Sequence, residues 1–324
     1  MWDSAVGFLV TLTLCLLAAP LTADAQLPAK VARIGYLALV EDPRLVEAFR
    51  QGLRELGYVD GQNIAMESRF AQGKGDRLPA LTAELVQLHM DVIVTFPAVA
   101  DRAAKNTTTT VPIVMVNARD PVGTGLVASL ARPGGNITGL SGLATDLSGK
   151  RLELLKEAVP SLSRVAVLWN ARTMTPDFEQ IHAAARALGV TVQPLGVQDA
   201  SDIESALATM TRERPDALFM ITDVLTRMYS NRVVDFGAKS QLPTMFEFRT
   251  PVDAGGLMSY GPSVSEQHRR AAYYVARILQ GTKPADLPVE QPMRFELVLN
   301  MKTAKALGIT FPPSIMVRAE QVIQ

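Results

Sequence analysis

Short apolar runs alternate with amphipathic segments along most of this chain, and the alternation occurs in two successive series. In the first series, the runs "VARIGYL", "DVIVTF" and "PIVMVN" alternate with segments whose apolar residues recur at helical spacing. The rhythm then restarts with "RVAVLWN", "VTVQPL", "ALFMIT" and "PTMFEF". Strands that alternate with helices form parallel sheets that are covered on both faces. The pattern therefore predicts an α/β protein with two doubly wound parallel-sheet lobes.

The first predicted helix shows how local signals delimit the elements. Pro43 can open a helix, and Gly57 can stop it. The predicted apolar face carries Val46, Phe49, Leu53 and Leu56. The C-terminal part of the chain is less regular and could return to each lobe in turn, so we predict two lobes joined by a hinge. Residues 28–143 plus 262–290 are expected to form lobe 1, and residues 144–261 plus 291–324 are expected to form lobe 2.

Composition excludes several classes of partner. The 324 residues suit two domains of ordinary size, and a 48% hydrophobic content can fill two cores. Lys+Arg 32 balances Asp+Glu 32, which leaves no basic excess to attract nucleic acid or anionic lipid. Aromatic residues make up 6% and do not interleave with basic residues. We therefore expect no nucleic-acid partner.

The N-terminal segment has the pattern of an export signal. An apolar run from Ala5 to Ala19 precedes the sequence Ala23-Asp24-Ala25, which resembles a signal-peptidase site. Residues 1–25 are therefore predicted to be a signal peptide that is cleaved before Gln26, and an uncleaved membrane anchor is the alternative. Cys15 is the only cysteine and lies inside this segment. A mature chain without cysteine would have no disulfide, thiol nucleophile or zinc–thiolate site.

A glycine motif raises the question of a nucleotide cofactor. Gly123-Thr124-Gly125-Leu126-Val127-Ala128 fits the G-x-G-x-x-A dinucleotide pattern, and Asp146 follows at a suitable distance. That pattern needs its glycines directly after a strand and at the start of a helix. Here Asn117 to Val122 intervene, and Pro133 would end any following helix. We interpret the motif as a loop with a short helix and expect no cofactor.

Other motifs of catalysis and metal binding are incomplete. The sequence "GLSGL" around Ser141 lacks the second glycine of a nucleophile elbow, and "SGKR" at Ser148 lacks the flanking residues of a phosphate loop. The three histidines stand far apart and outside any ligand spacing. We therefore expect neither a catalytic residue nor a metal site.

Polar side chains at the ends of predicted strands are the remaining site candidates. In open α/β sheets, ligands bind outside the carboxyl ends of the strands. The predicted ligand-binding residues are Tyr36, Thr95, Phe96, Asn117, Asp120, Asn170, Asp223 and Glu247. Each polar member could instead be a local cap or turn former, and Phe96, Trp169 and Phe246 could be core residues.

An amino acid would suit these candidates as a ligand. Its carboxylate could bind backbone N–H groups and Thr95 at a helix start. Asp120 or Asp223 could hold its ammonium group. Tyr36, Phe96, Trp169 and Phe246 lie beside the strand ends and could stack on an apolar or aromatic side chain.

Longer segments carry a resemblance that covers the chain from about Ala32 to its C-terminus. They include "DPVGTGLVASLARPGGNITGLS", "GKRLELLKEAVPSLSRVAVLWN", "DAGGLMSYGPS" and "ADLPVEQPMRFELVLNMKTAKALGITFPPSIMVRA". They resemble the ABC-transporter substrate-binding family that includes the TrpX-type tryptophan- and tyrosine-binding proteins. The resemblance implies a type I periplasmic-binding-protein fold.

The resemblance also implies a role. The protein would be a periplasmic solute receptor without enzymatic activity that delivers its ligand to ABC permease subunits in the membrane. We expect a monomer that closes its two lobes over a small solute, with an amino acid as the first choice. Two alternatives stay open: an enzyme that uses cleft carboxylates, and a ligand-sensing domain that acts with a separate signalling partner.

Overall fold

The structure is a computed structural model, and it describes residues 31–142, 147–172 and 176–324. The predicted signal peptide, Asp146 and the predicted lobe boundary between residues 143 and 144 lie outside these residues. Among the helices that the structure describes, none has the length and hydropathy of a membrane-crossing segment.

Two sheets organise the described chain. The strands are β1 (Ala32–Ala38), β2 (Ile64–Phe70), β3 (Val92–Phe96), β4 (Ile113–Arg119), β5 (Ile137–Gly142), β6 (Arg164–Asn170), β7 (Thr191–Val197), β8 (Ala217–Met220), β9 (Thr244–Phe246), β10 (Met258–Pro262), β11 (Phe295–Asn300) and β12 (Gln321–Ile323). The first sheet has the order β2-β1-β3-β4-β5 and is parallel throughout. The second has the order β12-β11-β10-β9-β8-β6-β7.

Helices cover both sheets. They are α1 (Pro43–Glu55), α2 (Leu78–Gln87), α3 (Ala98–Thr107), α4 (Ser148–Ala158), α5 (Pro176–Leu188), α6 (Ala200–Glu213), α7 (Val224–Met228), α8 (Ser230–Lys239), α9 (Arg249–Asp253), α10 (Val264–Leu279), α11 (Met301–Ala306) and α12 (Pro313–Met316). Each sheet has an apolar cluster on both of its faces. The predicted fold class, two doubly wound α/β lobes, is confirmed.

One strand pair departs from the parallel rule. β10 and β11 pair antiparallel, whereas the other pairs of the second sheet are parallel. The chain leaves this sheet after β10, forms α10 beside α1, and comes back as β11. Because it re-enters at the same end of the sheet where β10 left it, with Phe295 opposite Pro262, β11 runs antiparallel to β10.

We call the first sheet with its helices lobe 1 and the second sheet with its helices lobe 2. After α10, Val289 and Glu290 donate backbone hydrogen bonds to Leu130 and Gly139 of lobe 1, at 2.7 and 3.0 Å. The segment "DLPVEQP" therefore contributes only this short pairing, and a 3₁₀ turn at Pro284–Asp286 precedes it. The lobe boundaries proposed from the sequence stay a prediction.

Local signals explain the bounds of α1. Asp42 caps its first turn by accepting a 3.1 Å hydrogen bond from the backbone N–H of Arg44, and Pro43 occupies the first turn, where a missing N–H costs little. Gly57, with φ +82°, turns the chain away. Leu56 was predicted on the apolar face, but it is 45% exposed because the helix has already ended at Glu55.

Candidate functional site

A cavity of about 560 Å³ lies between the lobes, where the carboxyl ends of the parallel strands face each other. Lobe 1 lines it with the loops that follow β1, β2 and β3, and lobe 2 lines it with the segments that follow β8 and β9. The volume falls in the range of about 300–1,000 Å³ that is usual for small-molecule sites. Several lining side chains are apolar: Leu39, Val40, Phe96, Pro97, Met220, Val224, Met228 and Phe248.

Arg227 on α7 brings a positive charge to this cavity. Its guanidinium lies 4.9 Å from the centre of the Phe96 ring, so lobe 2 contacts lobe 1 here through a cation–π pair. Burial lowers the pKa of Arg227, whereas the carboxylates of Asp42 and Glu247 act to raise it. Within the described residues, Arg227 has neither an ion-pair partner within 4 Å nor a hydrogen bond. Its guanidinium donors therefore remain available to a ligand.

The aromatic wall behind Arg227 is built by lobe 1. Phe96 makes an edge contact with the His268 ring, with centroids 5.0 Å apart, and the Tyr36 ring lies 6.1 Å from His268. Burial lowers the pKa of His268 to about 4, so this side chain is neutral at pH 7. Burial also raises the pKa of Tyr36 far above its usual range. This wall therefore carries no charge of its own near neutral pH.

The other cations that line the cavity are already paired. Arg44 of lobe 1 donates to Asp253 of lobe 2 at 2.9 Å, and Arg249 donates to the same carboxylate at 3.0 Å. Arg249 also hydrogen-bonds Gln321. The Arg44–Asp253 pair therefore joins the lobes directly at the mouth of the cavity.

A second set of charges joins the lobes behind the cavity. Arg119, the last residue of β4, donates to Asp177 at 2.8 Å and to Glu247 at 2.9 Å. Arg151 on α4 lies 3.9 Å from Glu247. Both buried carboxylates thus face arginine side chains.

Of Phe96, Tyr36 and Thr95, which were predicted on lobe 1, one lines the cavity and two are buried away from it. Phe96 lines the cavity. Tyr36 is 2% exposed and packs in the core against Phe49. Thr95 is fully buried and donates its hydroxyl hydrogen bond to Asp101 at 2.6 Å. Contact between ligand and Tyr36 or Thr95 stays a prediction, and neither is among the described residues that line the cavity.

The loop after β4 uses its predicted residues for local structure. Asp120 is exposed and accepts a 2.9 Å hydrogen bond from the N–H of Gly123. Residues 121–128 form hydrogen-bonded turns instead of the expected short helix. Asn117 has φ +56° at an irregularity in β4. An N–H group that a pyrophosphate would need is thus already bound by Asp120, and ligand contact by Asn117 or Asp120 stays a prediction.

The residues predicted on lobe 2 are not among the described residues that line the cavity. Asp223 caps α7 by accepting from the N–H of Thr226 at 2.9 Å, and its other oxygen accepts from Asn170. Glu247 is 2% exposed and belongs to the Arg119 cluster. Phe246 is fully buried, and the Trp169 ring stacks on Phe178 at 4.9 Å. Ligand contact by Asn170, Asp223 and Glu247 stays a prediction.

Sequence reasoning missed Arg227, and a signal for it was present. Asp223 was identified at the strand end, and Arg227 stands four residues later, which is one helical turn. A side chain one turn beyond a helix cap can reach the same strand end. Asp42 was likewise not singled out as a site residue.

The described residues contain no group of three or more His, Cys, Asp or Glu side chains that could hold a metal ion. Arg227, Asp42 and several apolar side chains are among the groups that the described residues present to the cavity.

Comparisons with known proteins point to one group. The sequence profile described as "ABC transporter substrate binding protein" matches residues 33–323. A tyrosine-binding protein of Clostridioides difficile (strain R20291) is 29% identical over 286 residues, which are 86% of this chain and 82% of that protein.

Solved structures agree with the sequence matches. One is the ABC domain of Streptococcus pneumoniae in complex with L-Trp, which is 29% identical with a TM-score of 0.81 and covers 90% of this chain and 100% of that one. Another is the ligand-free, open structure of a substrate-binding protein with adhesive properties from Clostridium difficile. It is 25% identical with a TM-score of 0.69 and covers 91% of this chain and 100% of that one.

Proposed function

Because this chain belongs to the ABC transporter substrate-binding protein family, we propose that it captures an L-α-amino acid with an aromatic or large apolar side chain for delivery to an ABC permease. The relatives that bind tyrosine and tryptophan support the choice of ligand class. The observation that carries the proposal is Arg227, a half-buried cation in the cavity that has no hydrogen bond or ion-pair partner among the described residues.

A ligand carboxylate would complete the environment of Arg227. A guanidinium presents a fork of donors that matches a carboxylate, and charge-assisted hydrogen bonds of this kind are stronger than neutral ones. Because Arg227 comes from lobe 2 and Phe96 from lobe 1, a carboxylate bound there would contact both lobes. Such a ligand favours closure, because it gains contacts that the open state lacks.

The ammonium group would bind to the acidic side of the same cavity. Asp42 lines the cavity, and its Oδ1 accepts from the backbone N–H of Arg44. A carboxylate has about four acceptor positions, so Asp42 can accept further hydrogen bonds. Glu296 also lines the cavity, but burial raises its pKa, which makes it the weaker anion. We therefore assign the ammonium to Asp42.

The ligand side chain would lie against the apolar lining. Phe96 and Phe248 offer aromatic surface, and Met220 and Met228 offer flexible thioethers that adapt to the shape of a ring. Burying a large aromatic side chain contributes about 1.5–3 kcal/mol. With charge-assisted hydrogen bonds of about 1.5–3 kcal/mol each at the carboxylate and at the ammonium, the sum is about 4.5–9 kcal/mol. Its upper end reaches the roughly 8 kcal/mol of micromolar binding.

Replacement of Arg227 tests the proposal. We expect Arg227→Met to raise the Kd for L-tryptophan and L-tyrosine about 10- to 100-fold, because it removes the carboxylate contact and keeps much of the side-chain volume. Isothermal titration calorimetry measures the change. Arg232→Gln is the matched control, because Arg232 lies on α8 of the same lobe and pairs with Glu204 at the surface. Equal affinities of Arg227→Met and the parent protein would overturn the proposed site.

A second experiment tests the assignment of the ligand ammonium group to Asp42. Asp42→Asn should weaken amino-acid binding, whereas 3-phenylpropionate, which lacks the ammonium, should bind both proteins equally. A loss of amino-acid binding in Asp223→Asn or Asp120→Asn, but not in Asp42→Asn, would return the ammonium to the residues expected from the sequence.

The proposal also covers the N-terminal segment, the oligomeric state and the fate of the ligand. We infer that residues 1–25 are removed before Gln26 and that the mature protein is an extracytoplasmic monomer that binds its solute without converting it. N-terminal sequencing of the exported protein, its mass in solution, and recovery of unchanged ligand after long incubation test these three points. A new product in that incubation would favour the enzymatic alternative.

A further inference from the structure

The side chain of Arg119 connects the two lobes. Its backbone closes β4 of lobe 1, and its guanidinium donates to two side chains of lobe 2, Asp177 and Glu247, at 2.8 and 2.9 Å. It also donates to the backbone carbonyl of Thr222 at 3.0 Å. The carboxylate side chains are 1% and 3% exposed. Salt screens such buried pairs much less than surface pairs.

Lobe 2 holds this receiving site in place with its own side chains. Ser148 donates to Asp177 at 2.6 Å, and Arg151 lies 3.9 Å from Glu247. Arg151 is anchored by a 2.6 Å hydrogen bond to the carbonyl of Tyr260. Side chains of lobe 2 therefore position the two carboxylates. Against their two negative charges, lobe 2 itself places one buried arginine, Arg151. Arg119 supplies the charge that balances them.

An irregularity in β4 aims Arg119 at this site. The register between β4 and β5 shifts between Met115 and Ala118, and Asn117 in the shifted segment has φ +56°. Bulges of this kind re-aim the side chains that follow them. Gly142 stands opposite Arg119 on β5, and a Cβ at Gly142 would lie 2.3 Å from Asn117 Oδ1. A glycine at position 142 thus leaves room for the Asn117 side chain in the irregular segment that directs Arg119 into lobe 2.

We propose that Arg119, Asp177, Glu247 and the carbonyl of Thr222 form an interlobe clasp that favours the closed arrangement and thereby sets ligand affinity. Arg119 is a positioning residue in this proposal, because it acts through the lobes and not through the ligand. An interaction made only in one state shifts the population toward that state. The apparent Kd rises as the closed fraction falls.

The clasp can be tested without any ligand. In a full-length Cys15→Ser background, the exposed residues Gln51 of lobe 1 and Ser205 of lobe 2 are changed to cysteine and spin-labelled. Pulsed electron spin resonance then gives the interlobe distance distribution. Arg119→Gln is expected to shift this distribution toward longer distances. A distribution that coincides with that of the parent protein would overturn the clasp.

A control separates the clasp from a general loss of charge. Arg269 pairs with Glu55 at 2.9 Å, and both residues belong to lobe 1. Arg269→Gln should therefore leave the interlobe distances unchanged. Asp177→Asn supplies a second route if Arg119→Gln folds poorly, because an asparagine oxygen still accepts from Ser148. It should shift the distances in the same direction but less far, and an absent shift in this folded variant would also overturn the clasp.

Ligand titration gives the functional readout. With L-tryptophan and L-tyrosine as probes, Arg119→Gln should raise the Kd about tenfold, and Arg119→Lys should recover part of the loss, since it keeps the charge. A fold change below about two, with distances that do shift, would refute the link to affinity. The link to affinity rests on the proposed function. If the parent protein binds neither amino acid, the proposed ligand class fails while the distances still decide the clasp.

Discussion

At the scale of single residues, Asp101 combines burial with an incomplete set of hydrogen bonds. It lies in the first turn of α3 and is fully buried. Thr95 donates to its Oδ1 at 2.6 Å, while its Oδ2 has no partner in the described structure. Burial raises the pKa of Asp101 to about 7, and the Thr95 hydroxyl opposes part of that change. The carboxyl therefore gains a proton near neutral pH.

This pKa predicts how stability depends on pH. The unfolded pKa is near 3.8, so the folded protein takes up a proton between about pH 4 and pH 7. The stabilising contribution is full below about pH 4 and is lost as the pH rises through about 7. Asp101→Asn should remove it, so that urea unfolding at pH 5 and pH 8 differs by about 1–3 kcal/mol less in the variant than in the parent.

His268 does not interfere with this comparison. Its pKa is shifted in the opposite direction, to about 4, but both proteins contain it. Its effect therefore cancels in the difference between parent and variant. An identical pH dependence in the two proteins would show that Asp101 is ionised in the folded state as it is in the unfolded state.

Residue types at strand ends indicated the sheet edges that border the cavity, but not which contacts each side chain makes. Phe96 was predicted and lines the cavity, whereas Asp223 was predicted and caps α7. Aspartate at such a position suits both roles, and the sequence does not show which one its oxygens serve. Arg227 became a candidate only when the structure showed that it reaches Phe96 across the two lobes.

At the scale of elements, the packing of α10 against α1 depends on a close approach of the two helices at Gly52. A Cβ at Gly52 would lie 2.3 Å from the carbonyl oxygen of Arg269 and 2.9 Å from the Cβ of Ala272. Both of those residues belong to α10. The glycine therefore lets the returning helix pack directly on the backbone of α1.

Gly52→Ala should accordingly destabilise the protein although alanine is the better helix former. The helices must separate to admit the methyl group, and overpacking of this kind costs about 1–3 kcal/mol. Thermal or urea unfolding measures the loss. Gly75→Ala is the control, because a Cβ at Gly75 would meet nothing within 4 Å. An unchanged stability of Gly52→Ala would mean that α10 shifts without cost.

The elements themselves were predictable where local signals agree. α1 has a capping aspartate, a proline in its first turn and a glycine after its end, and its prediction nearly matches its observed bounds. The direction of β11 was not predictable, because it depends on the end of the sheet at which the chain re-enters. Its apolar pattern, "FELVLN", suits parallel and antiparallel pairing equally.

At the scale of the whole molecule, the two lobes meet through contacts of different kinds. Arg119 pairs with two buried carboxylates, the Arg227–Phe96 contact lies in the cavity wall, and the Arg44–Asp253 pair is at the mouth. In the last pair the side chains are 59% and 22% exposed. These interlobe contacts arise from distant parts of the chain, so no local pattern in the sequence could have indicated them.

The exposure of the Arg44–Asp253 pair has a kinetic consequence. An extracytoplasmic protein experiences the ionic strength of its surroundings, and screening shortens the reach of exposed charges from about 10 Å at 0.1 M salt to about 3 Å at 1 M. An exposed pair contributes up to about 1 kcal/mol, so salt should shorten the dwell time of bound L-tryptophan by up to about fivefold. In stopped-flow dissociation, Arg44→Gln should release the ligand faster at low salt and respond less to added salt. The mouth of the cavity would then retain its solute longest in dilute surroundings.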